Sequence, residues 1–259
     1  MKLLVVGAGT MGRWFGGTVA AELAADTEIA FADADPDAAT AAADALGGRT
    51  IALDADEQFD GVCLAVPISA IEESIATHAA KAERALIDVT GVMADPVAAM
   101  AEHAPDRERV SFHPLFAPEN APGTVAVVAD EPGPTTDEIR TALAAENDLF
   151  GTSPDEHDEA MATVQARTHA AVLAYALVAE DVREEFHTPI SGPLTDLADQ
   201  VLSGSPGVYS EVQAAFDGAE AVATAAERIA DADRDEFEQL YCEARDDRSE
   251  RSSSRERDR

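Results

Sequence analysis

The glycine pattern of GAGTMG, residues 7–12, is the feature that most constrains the fold of this 259-residue chain. It follows a short apolar segment, KLLVV, and leads directly into a segment of helical character. In this position Gly7 permits a tight turn, Gly9 lets the backbone approach a pyrophosphate at a helix N-terminus, and Gly12 lets the helix pack on the strand. A strand, a glycine turn and a helix in this order predict the start of a dinucleotide-binding domain.

Asp33 makes this prediction more specific. It follows the second predicted strand, EIAFA, 21 residues after Gly12 (33 − 12). A carboxylate in this place accepts a hydrogen bond from a ribose 2′-hydroxyl and repels a 2′-phosphate, so the pattern favours NAD over NADP. The turn AVP, which ends the fourth predicted strand, is expected to border the same cofactor. The predicted cofactor contacts are Gly7, Ala8, Gly9, Thr10, Met11, Gly12, Asp33, Val66 and Pro67. A glycine turn without a ligand, and a proline that only ends a strand, remain alternatives.

The alternation of strands and helices predicts the fold class. Strands alternate with helices of about ten to fifteen residues, which is typical of βαβ units. We therefore predict an α/β fold, a Rossmann-type doubly wound and mostly parallel sheet over residues 1–152. An all-helical dimerisation domain is expected over residues 153–245, since pairing with a second copy would bury the apolar faces of so thin a domain. Residues 246–259 contain no apolar residue and are predicted to be a disordered tail.

The charge of the chain excludes several function classes. Fifty-one acidic residues against 18 basic ones leave a net charge of −33, and Lys2 and Lys81 are the only lysines. Such a surface repels nucleic acid and anionic lipid, so neither is an expected partner. The composition resembles that of proteins from salt-loving archaea, where salt screens the repulsion between the acidic residues.

There is no apolar run long enough to span a membrane. Cys63 and Cys242 lie far apart without metal-ligand spacing, so we expect no metal and a cytoplasmic location.

Two histidines are candidates for chemistry. His113 comes at the end of a late strand and is followed by a proline-rich loop, in SFHPLFAPENAPG. Imidazole changes charge near neutral pH and can remove a proton from a hydroxyl, but on position alone a structural histidine is equally favoured. His169 lies on a helix close to Gln165 and Arg167. This polar group in an alanine-rich helix predicts a substrate-binding wall, whereas its apolar neighbours would also suit a buried core histidine.

The order of several motifs along the chain identifies a family resemblance. GAGTMG, VCLAVP, DVTGVM, HPLFAP, EHD and VQARTHA follow one another over about residues 1–245, and in this order the chain resembles the prephenate dehydrogenase family, which includes arogenate dehydrogenases. The resemblance implies NAD-dependent oxidative decarboxylation of prephenate to 4-hydroxyphenylpyruvate in tyrosine biosynthesis, with His113 as the base on the ring hydroxyl. It also implies that His169 faces the substrate and that the helical domain forms a homodimer.

The chain departs from the family pattern at two places. In the D-x-x-S-V-K element the serine that supports the catalytic histidine falls on Gly91, and the lysine falls on Met93. Thr90, one position earlier, carries a hydroxyl and is the candidate replacement in the catalytic site. The family's arginine for a substrate carboxylate falls on Gly192, which leaves Arg167 as a candidate source of positive charge. The choice between prephenate and arogenate stays open.

Other functions are compatible with such a chain. One is a related enzyme on the same scaffold, a β-hydroxyacid dehydrogenase or an imine reductase. A β-hydroxyacid dehydrogenase needs a catalytic lysine on the first long helix of the second domain, and neither Lys2 nor Lys81 lies there. A different class is a non-catalytic regulator that binds NAD or a metabolite and has lost the functions expected at Gly91 and Gly192.

Overall fold

The computed structural model describes residues 1–255. Within them, eight strands form one sheet in the order β3-β2-β1-β4-β5-β6-β7-β8. Neighbouring strands are parallel except β6 and β7, which are antiparallel. This topology confirms the predicted mostly parallel, Rossmann-type sheet. The strands are β1 Lys2–Val6, β2 Glu28–Ala32, β3 Arg49–Thr50, β4 Phe59–Leu64, β5 Ala82–Asp88, β6 Glu108–Pro114, β7 Thr124–Glu131 and β8 Asp148–Gly151.

Helices lie between the strands and after the sheet. A π-helical turn, Ala162–Arg167, separates α6 from α7. The helices are α1 Thr10–Glu22, α2 Pro36–Leu46, α3 Ile71–His78, α4 Ala94–His103, α5 Pro134–Ala144, α6 Pro154–Met161, α7 Thr168–Val178, α8 Ser191–Ser203, α9 Pro206–Ala215, α10 Ala219–Asp231 and α11 Arg234–Arg255.

The sheet is buried on both faces because its strands are apolar at successive positions. In β1, Leu3 and Val5 pack into one core cluster, and Leu4 and Val6 pack into another on the opposite face. The first cluster contains side chains of α1, α2 and α5, and the second contains side chains of α3 and α4. Continuous apolar strands are what a parallel sheet covered by helices requires.

The strand register places several chain segments at one edge of the sheet. Val6 pairs with Leu64, Leu64 with Asp88, and Asp88 with Ser111. These four residues form one row across β1, β4, β5 and β6. The glycine loop begins directly after Val6, and His113 lies two residues beyond Ser111 at the same carboxyl edge. In open α/β sheets this edge, at the point where the strand order reverses, is where ligands bind.

The chain divides into two compact units that differ from the predicted domains. The first comprises Met1–Met161 together with Ser205–Phe216, and the second comprises Ala162–Gly204 and the chain from Asp217 to the end of the described residues. The boundary lies after α6 rather than at 152/153 because α6 packs on α4. Ser205–Phe216 belongs to the first unit because α9 contacts the turn after β4, where the Ser69 N–H donates to Glu211 at 3.2 Å.

The C-terminal segment also differs from its prediction. Helix α11 continues through residues 246–255, where the sequence predicts a disordered tail. No glycine or proline interrupts this segment, and arginine and glutamate favour helical backbone, so helix propensity is sufficient without an apolar face. Residues 256–259 of the predicted tail lie outside the described residues.

Candidate active site

The glycine loop after β1 fits closely under the turn after β4. Gly7 has φ of +96°, and a Cβ at this position would lie 2.2 Å from the carbonyl oxygen of Ala65. A Cβ at Gly12 would lie 1.9 Å from the carbonyl oxygen of Gly7. Neither position therefore tolerates a side chain, as expected for the first and third glycines of a dinucleotide-binding loop.

Gly9 borders open space, in contrast to the other two glycines. A Cβ there would meet no heavy atom within 4 Å. Gly9 is the N-cap residue of α1, and the first turn of this helix has neither a side-chain cap nor an acidic residue. The backbone N–H groups of Thr10 and Met11 therefore remain available to an anion at the positive end of the helix. The loop can hold the pyrophosphate of a dinucleotide.

The AVP turn after β4 approaches this loop at Ala65 and Val66. The Ala65 N–H donates to the Val6 carbonyl oxygen at 2.7 Å, which joins the ends of β4 and β1. A Cβ at Gly7 would be 3.2 Å from the Val66 nitrogen. The two predicted sets of cofactor contacts therefore come together at one edge of the sheet.

Asp33 connects the end of β2 to the glycine loop. Its Oδ2 accepts a hydrogen bond from the Ala8 N–H at 2.6 Å, and its Oδ1 accepts one from the Asp35 N–H at 2.8 Å. Each carboxylate oxygen can accept a second hydrogen bond. Asp33 thus shapes the loop, a role that the sequence did not indicate, and retains the capacity to accept from a ribose hydroxyl.

His113 is held by a second buried histidine. Its Nδ1 lies 2.8 Å from Nε2 of His157, with the two rings edge to face at an angle of 74°. The other nitrogen of His157, Nδ1, lies 2.7 Å from Oδ1 of Asp158. Asp158 in turn accepts the Met93 and Ala94 N–H groups, both at 3.0 Å, at the N-terminus of α4. The three side chains form one hydrogen-bonded series.

Burial sets the charge states of this series. It lowers the pKa of His113 to about 3, and the neighbouring His157 contributes to the same effect, while Asp158 opposes it. Burial alone would raise the pKa of Asp158, but the hydrogen bonds from His157, Ala94 and Met93 outweigh it, and the pKa is lowered. At neutral pH the structure therefore contains a neutral His113 and an ionised Asp158.

Thr90 contacts Asp88. The Thr90 hydroxyl donates to Oδ2 of Asp88 at 2.5 Å, and the Thr90 N–H donates to the same oxygen at 3.0 Å. Asp88 is fully buried, and burial raises its pKa to about 6 although the hydroxyls of Thr90 and Ser111 oppose the change. The sequence suggested Thr90 as the support of His113, but the structure directs its hydroxyl to this carboxyl group.

Gly91 lies beside the other nitrogen of His113. A Cβ at Gly91 would be 3.7 Å from Nε2 of His113 and 3.4 Å from Cδ1 of Ile68, which are ordinary contact distances. A small side chain would fit there. Glycine therefore leaves space next to Nε2, where the family resemblance expects a serine.

The second unit carries the other candidates on adjacent turns. Gln165 and Arg167 lie in the π-helical turn, and His169 lies in the first turn of α7. Such π-helical turns are frequent at functional sites because they change the direction of side chains. Arg167 is exposed and donates to the Thr163 hydroxyl at 2.9 Å, and burial lowers the pKa of His169. Gly192 lies at the start of α8.

His157 is the residue that the sequence analysis did not select. Its only local signal was its place in EHD, directly before Asp158.

No group of three or more potential metal-ligating side chains that could hold a metal ion occurs in residues 1–255. In the same part of the chain no helix is long and apolar enough to cross a membrane.

The sequence of this chain is similar to those of known prephenate dehydrogenases. Residues 21–130 match the sequence model of a family described as "Prephenate dehydrogenase, nucleotide-binding domain". A 4-amino-4-deoxyprephenate dehydrogenase of Streptomyces pristinaespiralis is 30% identical over 267 aligned residues, which cover 94% of this chain and 89% of that protein. A probable arogenate/prephenate dehydrogenase of Methanocaldococcus jannaschii is 25% identical over 177 residues, 62% of this chain and 40% of that protein.

Solved structures match nearly the whole chain. Prephenate dehydrogenase of A. aeolicus, in complex with hydroxyphenyl propionate and NAD+, superposes with a TM-score of 0.66 at 18% identity and covers 96% of this chain and 98% of its own. The arogenate dehydrogenase of Synechocystis has a TM-score of 0.61 at 15% identity, with 96% of this chain and 99% of that chain covered. At these identities the two structures support the fold.

Proposed function

We propose that this chain, which belongs to the prephenate dehydrogenase family, catalyses the NAD-dependent oxidative decarboxylation of prephenate to 4-hydroxyphenylpyruvate. The observation that carries the proposal is a neutral, buried His113 at the same sheet edge as an open dinucleotide loop. A non-catalytic binding protein has no need of a desolvated base at that edge. The open space at Gly9 and the available N–H groups of α1 fit a dinucleotide.

NAD supplies the acceptor for a hydride from the substrate ring. Its pyrophosphate is expected at Gly7, Ala8, Gly9, Thr10, Met11 and Gly12, with Asp33 at the ribose and Val66 and Pro67 beside it. The carboxylate of Asp33 favours NAD over NADP because a 2′-phosphate would lie against it. The NAD+ complex of the A. aeolicus enzyme supports the same choice of cofactor.

His113 is the proposed base for the ring hydroxyl. As the ring carbon loses hydride, its hydroxyl becomes strongly acidic, so a base of low pKa is sufficient. The proton moves to the imidazole, the carbon becomes a carbonyl carbon, and the bond to the ring carboxylate then breaks. Its electron pair enters the ring, carbon dioxide leaves, and the ring oxygen takes the proton back from the imidazole, which gives the aromatic phenol and the neutral base. The protein mainly has to hold the hydroxyl, the base and the hydride acceptor in register.

Three residues of the second unit are proposed to bind substrate. His169 and Gln165 offer hydrogen bonds one helical turn apart, and the Arg167 guanidinium offers the charge for a carboxylate that Gly192 does not supply. Thr90 is proposed as a positioning residue that acts through Asp88. We further propose a homodimer through this unit and a cytoplasmic location for an enzyme whose two cysteines are unpaired.

A second substrate is favoured by the Streptomyces relative. At 30% identity over 94% of this chain, that relative is described as acting on 4-amino-4-deoxyprephenate. An amino group in place of the ring hydroxyl is protonated in water and has to lose that proton before its carbon can give up hydride, so a base at the same place would serve. Either group is proposed to lie in the space beside Gly91, next to Nε2 of His113.

The test is a side-by-side assay of NADH formation with prephenate, arogenate and 4-amino-4-deoxyprephenate. It should be run at high salt, since a net charge of −33 is then screened. We expect turnover of prephenate, and the ratio of kcat/KM values assigns the preferred substrate. NAD binding without turnover of any of the three would contradict the proposal and favour a non-catalytic regulator.

A further inference from the structure

We infer that His157, held by Asp158, is a positioning residue that fixes the tautomer of His113 and makes Nε2 its proton-accepting nitrogen. The hydrogen-bond geometry carries this inference, and its consequence for catalysis rests on the function proposed above. It also identifies what supports His113 in a chain where Gly91 stands in place of a serine.

The tautomer follows from counting donors along the series. The ionised carboxylate of Asp158 can only accept, so Nδ1 of His157, 2.7 Å away, has to carry a proton. When the ring of His157 carries this one proton, its Nε2 has only a lone pair. That lone pair lies 2.8 Å from Nδ1 of His113, which therefore donates its proton to it. In a neutral His113 the remaining nitrogen, Nε2, carries the lone pair.

The far end of the series is anchored independently of the histidines. Both oxygens of Asp158 accept backbone N–H groups, from Met93 and from Ala94, at the first turn of α4. These donors and the positive end of a ten-residue helix stabilise the ionised form of the carboxylate. Because α6 packs on α4, His157 is held between the sheet edge and this helix terminus.

The accepting nitrogen is also on the appropriate side of the ring. A Cβ at Gly91 would be 3.7 Å from Nε2, so this atom faces the position where the family resemblance expects a serine. A serine there would approach the nitrogen that has to meet the substrate. Support from His157 acts on the opposite nitrogen, Nδ1, at 2.8 Å.

The same series accommodates the charge that the reaction creates. When Nε2 gains the substrate proton, the Nδ1 proton of His113 can pass to Nε2 of His157 along the 2.8 Å contact. One N–H bond forms at His113 and one breaks, and the positive charge then lies beside the Asp158 carboxylate. The buried carboxyl of Asp88 also interacts electrostatically with His157, which lowers the pKa of that carboxyl.

Two substitutions separate positioning from mere filling of space. In His157→Gln the amide oxygen can occupy the place of Nε2 and accept from His113, whereas the shorter His157→Asn reaches only the place of Nδ1. We expect kcat to fall about 100-fold or more in the Asn variant and about tenfold or less in the Gln variant, with KM and NAD affinity little changed. The control is His78→Gln, which also replaces a buried histidine but lies on α3.

A direct readout of the tautomer does not depend on turnover. In ¹⁵N-histidine-labelled protein without substrate, we expect His113 to be protonated at Nδ1 and unprotonated at Nε2, and to change to the Nε2–H form in His157→Asn. A proton on Nε2 in the unsubstituted protein overturns the inference, as does equal kcat in the Asn variant and the unsubstituted enzyme. If no substrate is oxidised but the Nδ1–H form is present, the proposed function fails and the tautomer assignment stands.

Discussion

The two units of the molecule differ in how completely they bury their own apolar surface. In the first unit, large side chains such as Phe15, Phe31, Phe59 and Phe112 are fully buried against the sheet. In the second unit, α10 has no buried residue and α8 buries only Ala198. Large apolar side chains are exposed along it, among them Leu177, Val178, Phe186, Ile190, Leu202 and Tyr241.

This difference shows where each unit obtains its stability. The first unit has a core on both faces of its sheet, and the pKa values of His113 and Asp88 are strongly shifted because that core excludes water. The second unit presents an apolar surface of the kind that marks an interface between proteins. We therefore expect changes in the interior of the first unit to alter chemistry or folding, and changes on the exposed apolar surface of the second to alter assembly.

The largest effect is expected at the proposed base of the first unit. His113→Asn removes the proton acceptor, so kcat should fall by about 10²–10⁴-fold. NAD affinity should not change, because the dinucleotide loop is formed by other residues. Steady-state kinetics and fluorescence titration with NAD measure the two quantities. An equal loss in the exposed His103→Gln variant would show that the effect is not specific to the site.

The next largest effect is expected on the free energy of unfolding, when the buried Asp88 in the interior of the first unit is replaced. Asp88 has a pKa of about 6 in the folded chain, against an ordinary value of 3.8. Its contribution to the stability of the folded chain is therefore fully present below pH 3.8 and is lost as the pH rises through 6. Asp88→Asn keeps an acceptor for Thr90 but removes the buried charge. Its free energy of unfolding above pH 6 should exceed that of the unsubstituted chain by up to about 3 kcal/mol.

Denaturant unfolding at pH 5 and pH 8 checks this prediction. The gain should be larger at pH 8, where the unsubstituted carboxyl is ionised. Removing any negative charge from so acidic a chain relieves some repulsion. Asp26→Asn, an exposed position, is the matched control for that contribution. The same gain in both variants, or a gain independent of pH, would contradict the account of Asp88.

The second unit is tested by a substitution on its exposed surface. Leu177 is 86% exposed on α7, and Leu177→Glu should weaken the proposed homodimer by at least about tenfold, or about 1.4 kcal/mol. Sedimentation at several protein concentrations measures it. Phe150→Glu makes the same kind of change on an exposed apolar residue of the first unit and should leave the dimer intact. If the unsubstituted protein is a monomer, the proposed homodimer is wrong.

The smallest effect is expected at Gly91. Gly91→Ser restores the residue of the family pattern without a severe clash, because its Cβ would meet Ile68 at 3.4 Å. Since His157 already orients His113, kcat should change by less than about fivefold in either direction. An increase of a hundredfold or more would show that His113 lacks support in the unsubstituted chain. Gly91→Ala separates the hydroxyl from the added volume.

Residues whose roles depend on local backbone geometry were predictable from the sequence. The glycines at positions 7, 9 and 12 lie within a strand–turn–helix unit, so their spacing alone predicted the tight loop after β1. The place of Asp33 after β2 was predicted as well, but its hydrogen bond to Ala8 was not. The alternation of strands and helices similarly predicted the mostly parallel sheet. The helices of the second unit were predictable, but the sequence did not indicate that Ser205–Phe216 belongs to the first unit.

Only the tertiary structure placed His157 and Asp158 at the site. His157 is 44 residues from His113 in sequence. Asp158 is 65 residues from Met93, whose N–H donates a hydrogen bond to it. No local periodicity indicates such contacts, because they arise where α6 packs on α4 at the edge of the sheet. The sequence by itself determined the dinucleotide loop and the strand that carries His113. The packing of distant elements decided which nitrogen of that histidine contacts His157 and which lies near Gly91, because hydrogen bonds between residues far apart in sequence form only when the sheet and its helices are assembled.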